Sequence, residues 1–126
     1  MIVGLDHVQV AAPAGCEDDA RAFYGDLLGL EEVEKPAPLV GRGGVWFRIG
    51  DQQLHVGAAE VFAPATKAHP AFRVSSADAL DRLADRLERE GVAVTRPHRD
   101  EIPGTERIFA ADPWGNRIEL VASSHR

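Results

Sequence analysis

Three histidines and a glutamate, His7, His55, His69 and Glu119, are the residues of this sequence best suited to do chemistry together. Imidazole nitrogen and carboxylate oxygen are the donors that divalent Zn, Ni, Co, Mn or Fe(II) accept, and two or three histidines with one glutamate make a common mixed set. Glu119 raises the question most sharply. It interrupts "RIEL", a run in which Ile118 and Leu120 would face a core, and an ionised carboxylate there is costly to desolvate unless it is paired or coordinated.

The four donors are linked by an internal repeat. His7 and His69 are 62 residues apart, as are Gly29 and Gly91, and Phe47 and Phe109, a spacing expected of a duplicated unit. His55 and Glu119 are 64 apart, a slip ascribed to the longer hairpin turn "DPWGN" against "GDQQ". Each half thus carries one donor on its first strand and one on its last.

The elements that must position them read the same way twice. In the first half, "IVGLDHVQVAA" (2–12) alternates as a strand, with Val8 and Val10 on one face and Leu5, His7 and Gln9 on the other. "CEDDARAFYGDLLG" (16–29) has apolar residues at helical spacing, an acidic start and Gly29 as a C-terminal stop. Strands follow at 30–34, 44–49 and 52–56, the last two joined by a tight turn at "IGDQQ". The second half repeats strand, helix and three strands: "HPAFRV", the helix "SADALDRLADRLEREGV" capped by Ser76, then 92–96, 106–111 and 117–122. The expected fold is therefore α+β, two tandem βαβββ modules (1–57 and 69–126, linker 58–68) in one structural domain. Their curved sheets would form a cup with helices outside, and strand parity turns all four donors into it.

Composition narrows the partners. A chain of 126 residues with 44% hydrophobic and 27% charged residues is ordinary for a folded domain, and a net charge of −6 argues against nucleic acid. No apolar run is long enough for a membrane span, the N-terminus lacks signal-peptide character, and the single Cys16 forms no internal disulfide. The expected setting is the cytoplasm, and the expected ligand a small molecule.

On the third strand Trp46 and Arg48 share a face, Trp46 as a wall for substrate and Arg48 as a clamp for an anion; core-edge packing and surface charge are the plain alternatives. Glu119 by itself has Arg117 or Arg48 as candidate ion partners. His98 in a loop and His125 in the terminal tail are assigned no direct role, and Trp114 is read as hairpin packing. The loops "KPAPLVGRGG" and "HRDEIPGTER" either cover a site or only connect strands.

The runs "GLDHVQVAAP", "ARAFYGDLLGLEE", "VWFRIGDQQLHVG", "HPAFRV" and "DPWGNRIELVA" resemble the vicinal oxygen chelate superfamily across nearly the whole chain. That group includes glyoxalase I, fosfomycin-resistance thiol transferases, extradiol dioxygenases and bleomycin-resistance proteins. The resemblance implies paired βαβββ modules, often with sites completed in a homodimer. It implies His7, His69 and Glu119 as metal ligands, with His55 as fourth ligand or acid/base, so that His55 and Glu119 are the expected catalytic residues. His55 stands where glyoxalase I carries a glutamate, a departure from that enzyme's pattern. Two functions follow: a metalloenzyme polarising an oxygen-bearing substrate in lyase, isomerase or transferase chemistry, or a metal-free binding protein of the bleomycin-resistance kind. The four ligand-type residues discriminate in favour of the first.

Overall fold

The computed structural model describes residues 1–98 and 101–123, which excludes His125 and the end of the terminal tail. The chain divides into unit 1, Met1–Ala65, and unit 2, Thr66–Arg126. Unit 1 contains β1 (His7–Pro13), α1 (Glu17–Ala20) running on as a π-helix over Arg21–Leu27, β2 (Glu31–Val33), a 3₁₀ segment over Ala37–Arg42, β3 (Val45–Ile49) and β4 (Gln52–Ala59). Unit 2 contains β5 (Ala71–Arg73), α2 (Ala77–Arg89), β6 (Val94–Thr95), β7 (Thr105–Ala111) and β8 (Arg117–Ser123). Each has a mixed four-stranded sheet, ordered β1-β4-β3-β2 and β5-β8-β7-β6, with the first and last strands of the unit parallel neighbours and the other pairs antiparallel. The expected α+β fold of repeated βαβββ order is what the chain adopts, with open sheets.

Parity sets the two faces of each sheet. On β1, Val10 and Ala12 are buried while His7, Gln9 and Ala11 are exposed. On β3 and β4, Val45, Phe47, Leu54 and Val56 are almost wholly buried, and Tyr24 packs on Phe47 with ring centroids 6.1 Å apart. In unit 2, Leu80, Ala84 and Leu87 are buried along α2 while Ile108, Ile118 and Leu120 are buried in the sheet. Each fully buried leucine or isoleucine contributes about 1.5–3 kcal/mol. Ser76 caps α2 by accepting a hydrogen bond from Ala79 N at 3.0 Å, as its sequence position predicts.

Three local expectations change. Residues 2–6 do not join β1; the exposed Ile2, Val3 and Leu5 have no partner strand there, and pairing with β4 begins at His7. The first helix is α-helical for one turn and then widens, with Leu28 N donating to Phe23 O at 2.9 Å, five residues back. Phe23 and Tyr24 are both buried in this wider turn, and Gly25 lies against Phe47, where a Cβ would stand 3.5 Å from its ring. His69 precedes β5, which starts at Ala71.

Register also refines the repeat. Gln9 pairs with His55 and Ala71 with Glu119, so β1 and β5 keep the offset of 62. Across the hairpins, however, His55 pairs with Trp46 and Glu119 with Phe109, an offset of 63; Phe47 is a core residue and is not the counterpart of Phe109. The slip to 64 therefore accumulates in two single steps, of which the longer hairpin supplies only one. That hairpin is clamped by buried Asp112, whose Oδ1 accepts from Trp114 N at 3.1 Å and Asn116 N at 2.8 Å and whose Oδ2 accepts from Asn116 Nδ2 at 2.9 Å.

Candidate functional site

In unit 1 the pairing of Trp46 with His55 across β3 and β4 places their rings face to face, 3.7 Å apart and within 2° of parallel. His7, on the neighbouring β1, stacks on His55 at 4.2 Å and 19°. His55 is thus close to both rings and only 5% exposed. Burial, and then the charge His7 would carry, hold its imidazole below the ordinary 6.5, with Asp6 pulling weakly the other way. The uncharged ring is the favoured form. Its Nε2 lies 2.8 Å from Gln53 Oε1, so with the Gln53 carbonyl oxygen accepting, Nε2 carries the proton and Nδ1 keeps a lone pair. His7 is more open, its Nδ1 2.8 Å from Asp6 Oδ1, which leaves Nε2 as its free donor atom. A cation lies in the plane of each imidazole that binds it. His7 and His55 therefore serve one cation together only after one ring turns out of the stack.

In unit 2 the parallel pairing of Ala71 with Glu119 brings the end of the segment before β5 to the Glu119 carboxylate. His69 Nε2 is 2.8 Å from Glu119 Oε1, and His69 Nδ1 is 2.8 Å from the Lys67 carbonyl oxygen, to which it donates. Glu119 is 7% exposed; its Oε2 accepts a longer contact, 3.4 Å, from Arg107 Nη1. Arg107 also donates to Glu101 Oε2 at 2.6 Å, and the two carboxylates, Glu101 foremost, raise its pKa further. Phe109 completes the cluster, with the His69 ring meeting it edge-on at 5.6 Å and the Arg117 guanidinium 3.8 Å above its centroid.

This differs from the expected partners of Glu119. Arg117 lies over Phe109, and Arg48 pairs with Glu31 at 3.4 Å with its side chain 55% exposed, whereas Arg107 is the guanidinium on Glu119. Arg107 was missed from sequence, yet it was reachable: Phe109 pairs with Glu119, so the residue two positions before Phe109 lies diagonally across the same face. Gln53 and the Lys67 carbonyl, which orient His55 and His69, carry no comparable sequence signal. Cys16 is buried, and burial followed by its hydrogen bond to Glu17 raises its pKa to about 11, leaving an inert thiol.

Among the described residues, no three His, Cys, Asp or Glu side chains gather as a metal would require; each unit supplies one pair. The donor chemistry of the unit 2 pair still fits a divalent cation. A proton on Nδ1, fixed by a backbone carbonyl, aims the Nε2 lone pair at a buried carboxylate, the orientation familiar in metal-binding histidines. Nitrogen and oxygen at that separation need a proton between them, and a cation held by both can take its place.

The profile of the Glyoxalase/Bleomycin resistance protein/Dioxygenase superfamily matches residues 4–120. A crystal structure of a protein assigned to the glyoxalase family from Bacillus anthracis is 46% identical, with a TM-score of 0.90 over 98% of each chain. Lactoylglutathione lyase from Agrobacterium tumefaciens is 25% identical, with a TM-score of 0.72 over 94% of this chain and 92% of its own. The fosfomycin resistance protein FosX from Listeria monocytogenes shares the fold at 21% identity, with a TM-score of 0.79 over 99% and 94%. The chain belongs to the glyoxalase/bleomycin resistance protein/dioxygenase superfamily, the vicinal oxygen chelate group.

Proposed function

We propose that this chain is a small metal-dependent enzyme in which His7, His69 and Glu119 hold a divalent cation, with His55 as a fourth ligand or as the group that moves a proton. The observation that carries the reading is the His69–Glu119 contact, 2.8 Å between an oriented imidazole and a buried carboxylate. Likeness in fold supports it: a FosX glutamate-to-glutamine variant was crystallised with Mn(II) and 1S,2S-dihydroxypropylphosphonic acid. The family also supports a small-molecule substrate and a homodimer.

A bound divalent cation would supply Lewis acidity, lowering the cost of negative charge on substrate oxygens. The chain's own residues do the rest. Arg107 Nη1 makes a long contact, 3.4 Å, to the second oxygen of Glu119, which favours the orientation with Oε1 directed at His69. Gln53 fixes the His55 tautomer, so Nδ1 is the atom it can offer to the cation or to a substrate proton. Because burial keeps that ring uncharged at neutral pH, it is in the form that accepts a proton. Trp46, half-buried, supplies a flat apolar wall beside it.

The reading is tested by turnover of oxygen-rich substrates: the hemithioacetal of methylglyoxal and glutathione, fosfomycin with a thiol, and catechol with oxygen. Activity on one of them, abolished by a chelator and restored by one of the five cations, is the expected result. Stoichiometric binding of a small molecule with neither turnover nor metal dependence would overturn it in favour of a sequestration protein.

A further inference from the structure

The geometry points to a binding site for a small organic anion in unit 1, beside Trp46, with Lys35 and Arg42 as its positive end. The inference deepens the function proposed above, since it names the substrate class that the His55 face of that unit would receive.

The cavity follows from side-chain size along one face. Moving along β4 on the parity of His55, the next positions are Gly57 and Ala59; on the neighbouring β1, Gln9 pairs with His55 and Ala11 with Gly57. Small residues after a stacked Trp–His pair leave space, and a cavity of about 330 Å³ lies there, at the lower end of the range for small-molecule sites. Gly57 leaves room for the Gln9 side chain, since a Cβ on it would stand 2.8 Å from the Gln9 amide carbon and push that side chain aside. The 3₁₀ segment Ala37–Arg42 contributes Leu39 and Arg42 to the same cavity, and Lys35 enters just before it.

Charge decides what the cavity takes. The cavity lining contains Lys35 and Arg42 and no carboxylate, in a chain of net charge −6. Several other arginines are ion-paired, Arg21 with Glu32, Arg82 with Asp78, Arg96 with Asp81 and Arg107 with Glu101. Lys35 and Arg42 form no such ion pair among the described residues; Lys35 donates to the Gly43 carbonyl oxygen and has two further N–H bonds to give. A neighbouring cavity that shares Lys35, Gly43 and Trp46 is lined by Glu17, Glu32 and Glu34 as well as Arg21, so of these two cavities the one on the Gln9–Gly57 side is the one that favours an anion. Arg48, the expected anion clamp, lines neither and is already paired with Glu31. A carboxylate, phosphate or phosphonate group would meet the two cations while an apolar body lies against Trp46, Leu39 and Ala59.

The test uses chelator-treated full chain and phenylphosphonate, with benzyl alcohol as the neutral counterpart, by calorimetry and Trp fluorescence. Wild type is expected to prefer phenylphosphonate, and Arg42→Gln and Lys35→Gln each to weaken it about tenfold or more, as loss of one charge-assisted hydrogen bond implies, with benzyl alcohol unaffected. Because Lys35 also braces Gly43, exposed Arg42 is the cleaner variant. Equal binding of phenylphosphonate by wild type and both variants, or no preference over benzyl alcohol, overturns the inference. The two readings fail separately. Arg42-dependent binding in a chain that retains no metal would uphold the anion site and defeat the metal centre; metal retention with binding indifferent to Arg42 and Lys35 would do the reverse.

Discussion

Replacing Glu119 by glutamine keeps the shape of the side chain and removes its charge, which separates packing from ligation. At stake in the fold is one good charge-assisted hydrogen bond, the 2.8 Å contact to His69; the 3.4 Å contact to Arg107 is beyond the range in which such bonds are strong. A bond of that kind is worth about 1.5–3 kcal/mol, and the neutral amide recovers part of the cost of burying a carboxylate. The net loss should be about 1 kcal/mol, roughly 3–6 °C in Tm for a chain of this length. Cation affinity should suffer far more. Losing a residue that merely orients a ligand costs about 10–100-fold, so loss of the ligand's own charge should exceed about 100-fold, or ~2.7 kcal/mol. Kd would be measured by competition with a chromophoric chelator at fixed pH, with Glu106→Gln, on the adjacent β7, as the comparison and thermal melts run in parallel. If the two variants bind the cation alike, Glu119 is not a ligand, whatever its effect on Tm.

Gly44→Ala should unfold the chain more readily than any change at the site, because φ is +89° and the added Cβ would stand 2.1 Å from Val56 O; with strain and the threatened 2.7 Å bond from Gly44 N to Glu17, a loss of about 3–5 kcal/mol is expected by chemical denaturation. The downward shift of His55 means that, below pH 6.5, the unfolded chain takes up the proton before the folded one. Its share of stability is therefore present at pH 7 and lost as pH falls toward the folded value, and melts of His55→Gln from pH 7 to 5 should show a shallower decline than wild type; parallel curves would contradict the shift. Ser76→Ala should cost about 1 kcal/mol through the lost cap of α2 while leaving cation affinity unchanged, and a changed Kd would show that the two readouts are not independent.

Much of this was legible because the pattern that buries a strand also aims its other face. Ile118 and Leu120 had to enter the core, which fixed the strand face of Glu119, and the repeat then pointed to His55, His7 and His69. The order of elements and the stop at Gly91 followed from spacing and turn chemistry for the same reason. What sequence did not give was register and helix pitch. The single-residue step before β7 made Trp46 the counterpart of Phe109, and the π-helical turn, which carries the buried Tyr24 against Phe47, has the same apolar spacing in sequence as an ordinary helix. Arg107 was hidden for a related cause: an ion partner is set by the cross-strand diagonal, and Arg117, nearer in sequence to Glu119, instead lies over Phe109.

The most direct test is metal content per chain by plasma mass spectrometry. Untagged protein, purified without chelator, would be re-equilibrated separately with Zn, Ni, Co, Mn and Fe(II), and His69→Ala treated in the same way. One cation per chain in wild type, lost in His69→Ala, is the predicted result. No retention of any of the five, or equal retention in both proteins, would contradict the metal centre and leave His69 and Glu119 as a hydrogen-bonded pair of the fold.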